Sequence, residues 1–283
     1  MSTKRVRLDR VLVDRGLCAS RSEAQAAIAG GLVHVGGSVA MSAARQVAPE
    51  ESVHVLGPPR RFASRGGEKL NGALDDFGIV VNDLVVLDAG ASTGGFTDCL
   101  LQRGATVVYA VDVGYGQLDH RLRVDPRVVV RERLNVRFLS PEDLDEPNRP
   151  CTGVDLVVAD LSFISLTLVA QAFTSVLRPG GKFLVLVKPQ FEVDKATASA
   201  GKGVIRDPSV WATTILRVVD AFAEVGLVAR AVTVSSLLGP KGNTEFLLFG
   251  DAGSDDGDVL TETAILAAVD RAEHRPTPGE VAG

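Results

Sequence analysis

The chain has 283 residues, of which 46% are hydrophobic and 23% are charged, and its formal net charge is −5. This length and composition describe a globular protein with one large domain and one small one, and they exclude a disordered or fibrous chain. No apolar run reaches about 18 residues and no signal-peptide pattern is present, so we expect a cytoplasmic protein that does not enter a membrane.

Charge is divided unevenly along the chain. Residues 1–60 carry 8 Lys and Arg against 5 Asp and Glu, a net charge of +3, whereas the remainder carries 22 against 30, a net charge of −8. A small basic module joined to an acidic body predicts that the module binds a polyanion. A solvated basic face without a partner would give the same counts.

The first sixty residues are predicted to form two helices and a few short strands. Apolar residues recur at helical spacing over residues 6–16, and Gly16 stands where that helix would end. Ser20 with Glu23 forms a capping-box pattern that predicts a second helix over Arg21–Ala29. Strands are predicted after Gly31 and at 52–56, which together give a small α+β domain.

This N-terminal order resembles the alpha-L RNA-binding fold, which occurs in a small-subunit ribosomal protein and in many pseudouridine synthases. The residues that carry the resemblance are Arg7-Leu-Asp, Leu12-Val, Arg15-Gly-Leu, Ser20-Arg21, Ala24, Ile28 and Gly31-x-Val-x-Val-x-Gly37. The resemblance implies an RNA-binding domain over residues 1–57. It also implies phosphate contacts from Lys4, Arg5, Arg7 and Arg21. Because aromatic residues are few here, we do not expect this domain to stack bases.

A Pro-rich segment separates this module from the rest of the chain. Residues 57–62, GPPRRF, cannot continue a strand, and we predict a linker over 58–63. A passive hinge and a linker that transmits RNA binding to the body are both open.

The body is predicted to alternate strands and helices. Strands are predicted from Val85 and at 106–113, 128–131, 155–160, 182–188, 229–234 and 245–249, and helices at 68–77, 95–103, 164–177 and 210–223, with a polar loop at 192–207. This order predicts an α/β, Rossmann-like domain over 64–250, with a mostly parallel seven-stranded sheet that ends in an antiparallel edge hairpin. Residues 251–283 are predicted to form an acidic linker, a peripheral helix over 260–272 and a flexible tail.

The stretch VVLDAGASTGGF, residues 85–96, places a Gly-rich turn between a strand and a helix. Such a turn lets the backbone approach a ligand closely, although a tight turn in any parallel α/β protein would look the same. The spacing excludes the G-x-G-x-x-G dinucleotide fingerprint, and no Lys-Ser/Thr follows to make a P-loop. Asp followed by Gly-x-Ser-Thr-Gly-Gly resembles the first motif of S-adenosylmethionine-dependent methyltransferases.

That resemblance implies S-adenosylmethionine as the cofactor and a set of residues that bind it. The residues from the motif itself are Asp88, Gly90, Ala91, Ser92, Thr93, Gly94, Gly95 and Phe96. Asp112, which ends the second strand, would bind the ribose, or else would cap the following turn. Asn135, after the third strand, would lie near the adenine.

Two further polar residues, like Asp112, end buried strands of the body. Asp160 closes the run VVAD, and Lys188 closes the run FLVLVK. Since the carboxyl ends of parallel strands meet at one edge of a sheet, the carboxylate would partner an amine that is otherwise costly to bury. An ion pair that only joins two strand ends and a lysine that acts as a base are both compatible with this pattern.

The order of Lys69, Asp160, Lys188 and Glu245 resembles the Lys-Asp-Lys-Glu set of the FtsJ-like ribose 2′-O-methyltransferases. The fusion of this body to an alpha-L module resembles the TlyA family, which modifies ribosomal RNA and has also been labelled haemolysin-like. The phrases that extend the resemblance are DAGASTGGFT, DVGYGQL, DLVVADLSFISL, LVKPQFEV and GPKGNTEF. The chain departs from the family chiefly in the loop at 193–203, DKATASAGKG, which is enlarged.

The resemblance implies a Rossmann-like methyltransferase fold and methylation of cytidine ribose in 16S and 23S ribosomal RNA by a monomeric enzyme. Lys188 would be the base, with Lys69 and Asp160 tuning it and Glu245 holding the lysines. Arg65 and Phe163 would contact the RNA, although Phe163 would serve equally as a core residue. No metal is expected, because the candidate ligands are scattered: Cys18, Cys99, Cys151, His34, His54, His120 and His274.

Three other functions stay open. An RNA base N-methyltransferase would carry Asp/Asn-Pro-Pro-Tyr/Phe where this chain has Asp160-Leu-Ser-Phe, and the missing prolines count against it. A cytosine C5 enzyme needs a cysteine at the exit of the fourth strand, but Cys151 precedes that strand. A haemolysin-like, membrane-acting protein and a non-catalytic RNA-binding protein are the remaining alternatives.

Overall fold

A computed structural model of the protein describes residues 5–18, 20–56, 61–146, 151–253 and 257–275. The chain divides into two compact units, Met1–Arg61 and Phe62–Gly283. Each unit has its own apolar interior. The division falls inside the predicted linker 58–63, of which 58–60 lie outside the described residues.

The N-terminal unit combines two helices with short antiparallel strands. Its helices are α1 (Leu8–Asp14) and α2 (Arg21–Ala29), and its strands are β1 (Val6–Arg7), β2 (Val33–Val35), β3 (Ser38–Val39), β4 (Gln46–Val47) and β5 (Val53–Val55). β1 pairs with β4, and β2 lies between β3 and β5. Ser20 caps α2 by accepting a hydrogen bond from the Glu23 N–H, as the capping pattern predicts. The first helix starts later than residue 6 because β4, a partner forty residues away, captures Val6 and Arg7.

The second unit alternates strands and helices. Its strands are β6 (Val85–Ala89), β7 (Val107–Asp112), β8 (Val128–Glu132), β9 (Val154–Ala159), β10 (Leu177–Val187), β11 (Leu227–Val234) and β12 (Phe246–Ala252). Its helices are α3 (Gly66–Asp76), α4 (Gly95–Gln102), α5 (His120–Arg123), α6 (Ala170–Val176), α7 (Pro189–Glu192), α8 (Lys195–Ala200), α9 (Pro208–Ala223) and α10 (Glu262–Glu273).

Within the described residues, the strands of this unit form one seven-stranded sheet in the order β11-β12-β10-β9-β6-β7-β8. Only β12 runs against its neighbours β10 and β11, so the sheet is mostly parallel, which confirms the predicted fold class. Successive strands lead away from β6 in one direction through β7 and β8, and in the other direction through β9 and β10. The order therefore reverses between β6 and β9, where open α/β sheets bind ligands.

Both faces of the sheet are buried, which explains why its strands are nearly continuous apolar runs. Alternate residues point to opposite faces, so Leu87 joins the interior under α6, α9 and α10, whereas Val86 joins the interior under α3 and α4. α10 belongs to this packing, because Ile265 and Ala268 are fully buried in the first of these interiors. The predicted peripheral helix thus packs against the second unit.

Two segments differ from the local prediction. The region predicted as a helix over 164–177 begins with a 3₁₀ turn at Leu166–Leu168, and only Ala170–Val176 is α-helical. The predicted loop at 192–207 contains α8, whose N-terminus is capped by Asp194. In the first segment, Ser165 has an extended backbone and its side chain caps the Thr167 N–H, while a buried carboxylate from another element accepts the Leu166 N–H, so helical geometry starts only after Ser165.

Candidate active site

The glycine-rich turn after β6 is pressed against the end of β9. Gly90 has φ = +86°, and a Cβ built on it would lie 3.0 Å from the backbone oxygen of Asp160, so only glycine fits. A side chain on Gly95 would collide with Ser64, which precedes α3. The turn therefore joins three elements at the point where the strand order reverses.

Asp88 sits beneath this turn and is fully buried. Its Oδ2 accepts a hydrogen bond of 2.6 Å from the Thr97 hydroxyl, while its Oδ1 has no hydrogen-bond partner among the described residues. Burial raises the pKa of Asp88 to about 7, against the opposing effect of the Thr97 hydrogen bond. A buried carboxylate oxygen without a partner beside a glycine cradle is what a cationic or N–H-bearing ligand would satisfy.

The raised pKa of Asp88 predicts a pH-dependent stability. In the unfolded chain the Asp88 carboxyl ionises near pH 4, whereas in the folded protein it stays protonated up to about pH 7. Between these two pH values the folded state binds one more proton than the unfolded state, so the free energy of unfolding falls as pH rises. We expect the free energy of unfolding of Asp88→Asn, relative to wild type, to rise across this window by on the order of 3 kcal/mol. Urea unfolding in a pH series measures it, and a difference that does not change with pH would contradict it.

The strand ends after β7 and β8 carry the remaining predicted cofactor residues. Asp112 accepts hydrogen bonds from the N–H groups of Ser92, at 2.8 Å, and Gly114, at 2.6 Å, so its carboxylate ties two turns together. Asn135 is exposed, and its side chain accepts a hydrogen bond from the Arg137 N–H. Both residues lie on the edge of the sheet that carries the glycine turn, and their contacts with the cofactor stay predictions.

The four predicted catalytic residues form two ion pairs. Lys69 Nζ lies 2.5 Å from Glu245 Oε2, and Lys188 Nζ lies 2.6 Å from Asp160 Oδ1. Lys188 also donates a hydrogen bond of 2.9 Å to the Ser162 hydroxyl. Both lysines are less than 10% exposed and Glu245 is 1% exposed, so these charges are held away from water.

The fold brings the two pairs to one edge of the sheet. Phe246 faces Val187 across β12 and β10, so the neighbours Glu245 and Lys188 leave the ladder together. Gly66 stands one turn before the lysine of α3, and a Cβ there would lie 3.6 Å from Asp160 Oδ2. Residues that are up to 176 positions apart in the chain thus converge beside the glycine turn.

An aromatic pair flanks Lys188. Phe163 is 91% exposed with φ = +64°, and its ring lies 5.1 Å from that of Phe191. The Lys188 amine is 5.8 Å from the Phe191 ring centre. Sequence reasoning missed Phe191, although its position three residues after Lys188 in LVKPQFEV could have indicated it.

The arginines predicted to bind RNA surround a buried carboxylate in the N-terminal unit. Asp9 is fully buried and pairs with Arg7 at 3.0 Å and with Arg21 at 2.7 Å, and these bonds hold its pKa well below the usual range. The side chains of both arginines remain about half exposed. Arg5, two residues before Arg7, also has an exposed side chain. Lys4 lies outside the described residues, and Arg65 is exposed at the start of α3.

Metal-binding clusters and membrane-spanning helices are both absent from the described residues. No group of three or more His, Cys, Asp or Glu side chains there could hold a metal ion. None of the helices in these ranges is long and apolar enough to cross a bilayer.

Family profiles match both units. The profile of the FtsJ-like methyltransferases matches residues 62–252, and that of the S4 domain, the alpha-L RNA-binding fold, matches residues 6–53. The chain belongs to the FtsJ-like methyltransferase family. This FtsJ-like enzyme uses S-adenosylmethionine, and the partnerless Asp88 oxygen and the Gly90 cradle fit that cofactor.

Relatives of this FtsJ-like enzyme confirm the predicted resemblance to the TlyA family. The 16S/23S rRNA (cytidine-2′-O)-methyltransferase TlyA of Mycobacterium tuberculosis is 46% identical over 270 residues, 95% of this chain and 97% of the relative. Hemolysin A of Brachyspira hyodysenteriae is 38% identical over 242 residues, 86% of this chain and 98% of that protein. A solved structure from Streptococcus thermophilus, described as a candidate hemolysin, is 34% identical over 96% of both chains with a TM-score of 0.77.

Proposed function

We propose that the protein methylates the ribose 2′-hydroxyl of cytidines in 16S and 23S ribosomal RNA. The observation that carries this proposal is the buried Lys188 amine paired with Asp160 beside the glycine turn, because an N-methylating site has no need of a buried amine. The name of the Mycobacterium tuberculosis relative supports the same reaction and the same RNA. We assign RNA docking to residues 1–57 and catalysis to residues 64–250.

In this scheme the Lys188 ammonium first releases its own proton to solvent, and the neutral amine then takes the proton that the 2′-hydroxyl loses as its oxygen attacks. S-adenosylmethionine supplies a methyl group already activated by a sulfonium. Asp160 and Ser162 hold the Lys188 amine from two sides, so the amine meets the hydroxyl in a fixed orientation. Lys69, held by Glu245, would tune the Lys188 amine together with Asp160, and the same pair anchors α3, whose first turn lies against Asp160.

RNA would be held by both units. Arg5, Arg7 and Arg21 would contact phosphates, with Asp9 fixing the last two in place. In the second unit, Arg65 would contact a phosphate, and the exposed ring of Phe163 would stack on a base.

Arg21→Ala is expected to weaken binding to ribosomal RNA about equally for all sequences and to lower the slope of log K against log salt by about 1. Asp9 keeps Arg7 and Gln25 as partners in this variant, so the N-terminal unit stays folded. Filter binding across a salt series gives the slope. Arg10→Ala is the matched control, since Arg10 is paired with Asp14 on the exposed side of α1. Equal slopes for Arg21→Ala and wild type would contradict the phosphate contact.

The function is tested by incubating the full chain with S-adenosylmethionine and ribosomal subunits that lack the modification, and then analysing the nucleosides by mass spectrometry. We expect 2′-O-methylcytidine from both subunits. An N-methylated or C5-methylated base would overturn the reaction, and cofactor binding without any product would favour a non-catalytic RNA-binding protein. Leakage of liposomes by Lys188→Ala, without a methylated product from wild type, would favour the membrane-acting alternative.

A further inference from the structure

Glu192, the last residue of α7, is a buried acid that the proposed mechanism does not use. It is 3% exposed, and its Oε1 accepts a hydrogen bond of 2.8 Å from the Leu166 N–H. Its Oε2 accepts a hydrogen bond of 2.5 Å from the Ser165 hydroxyl. Burial raises the pKa of Glu192, and these two bonds oppose that effect. Burying the carboxyl group costs free energy of desolvation, which the two hydrogen bonds partly offset.

The segment 160–166 is consequently tied at both ends to the five residues 188–192. At its start, Asp160 and Ser162 contact the Lys188 amine, and at its end the two bonds to Glu192 hold it. Between the ties stands Phe163, in a left-handed conformation that non-glycine residues rarely adopt. Such a conformation persists only where the surrounding contacts hold it, and here those contacts are the two ties and the Phe191 ring.

Glu192 is itself anchored to a long element. Arg217, from the sixteen-residue helix α9, donates a hydrogen bond of 3.0 Å to the Glu192 backbone oxygen. Through Glu192, segment 160–166 is therefore anchored to α9, which packs on the sheet, as well as to the short helix α7.

We propose that Glu192 is a positioning residue for the acceptor nucleotide. By holding Ser165 and Leu166 it keeps Phe163 exposed beside Phe191 and Lys188, where the ring can meet the base of the nucleotide whose ribose is methylated. The proposal rests on the proposed function. In it, Glu192 does not contact the RNA itself but fixes the position of Phe163, which does.

A double-mutant cycle with Glu192→Ala and Phe163→Ala tests this action. We expect each single variant to lower kcat/KM for the RNA about 10-fold, with unchanged S-adenosylmethionine affinity by calorimetry. We expect the double variant to be little worse than either single one, because Glu192 acts through Phe163. Glu192→Gln, which keeps one acceptor oxygen, should lie between wild type and Glu192→Ala. Glu224→Ala, an exposed acid at the end of α9, is the control.

Effects that multiply in the double variant, or a kcat/KM of Glu192→Ala equal to wild type, overturn the proposal. If Glu192→Ala does not fold, Ser165→Ala removes one of the same contacts from the other side and enters the cycle in its place. The affinity for unmodified 23S ribosomal RNA is measured on the same variants. These affinities provide a second double-mutant cycle, which tests the role of Glu192 even if wild type forms no 2′-O-methylated product. That last result would refute the proposed function, and the affinities alone would then decide the role of Glu192.

Discussion

Lys188→Ala is expected to lower kcat for methyl transfer by about 10²- to 10⁴-fold, which is the usual contribution of a positioned base. The amine is the group that Asp160 and Ser162 hold at the glycine turn, and alanine has nothing with which to take the proton. The affinity for S-adenosylmethionine should change little, because the predicted cofactor residues lie on β6 and β7, in the segments that follow β6 and β8, and at the start of α4. Single-turnover rates with saturating RNA and cofactor measure the effect.

Lys182→Ala is the matched control for this variant. Lys182 lies in the middle of the same strand, β10, and is exposed, so its loss removes the same charge without touching the site. Lys188→Arg keeps the charge but not the ability to accept a proton, since the guanidinium group stays protonated, and it should be as inactive as alanine. Substantial activity in Lys188→Arg would show that the residue supplies charge and not a base.

The second large effect concerns the pair Lys69–Glu245. Lys69 is 7% exposed, so Glu245→Ala leaves a buried amine without its carboxylate partner, and we expect the free energy of unfolding to fall by about 3–5 kcal/mol. Replacing both residues, as Lys69→Met with Glu245→Leu, removes both buried charges and should restore most of the stability. Activity should stay low in the double variant, because the charges that surround the reacting groups are gone.

Denaturant unfolding and methyl-transfer rates, measured on the same preparations, separate the two roles. Asp14→Ala, which breaks the exposed pair Arg10–Asp14, is the control and should cost less than about 0.5 kcal/mol. If activity returns together with stability in the double variant, the pair only supports the fold. If neither returns, the loss of stability has another cause than the buried charge.

Much of the second unit could be predicted from local patterns. Continuous apolar runs mark β6, β9 and β10, since strands buried on both faces need no polar side, and the mostly parallel sheet follows from the alternation with helices. The prediction was wrong where a distant group decides the backbone. Helical geometry starts only after Ser165, where the distant Glu192 accepts the Leu166 N–H, and Val6 leaves the helical pattern because Val47 pairs with it.

The site divides in the same way. Lys188 and Asp160 could be identified because a charge that ends a buried strand is costly, and the family resemblance added Lys69 and Glu245. No local pattern indicated that Lys69 pairs with Glu245, or that Phe191 and Glu192 contact the segment 160–166.

The amino-acid sequence by itself determined the strands, the glycine turn and the polar residues at the strand ends, because periodicity and glycine conformation act over a few neighbouring residues. Only the tertiary structure decided which charges neutralise each other and which oxygen of Asp88 stays without a partner among the described residues. Those outcomes depend on burial and on contacts between side chains from distant parts of the chain, and both arise only once the sheet has formed.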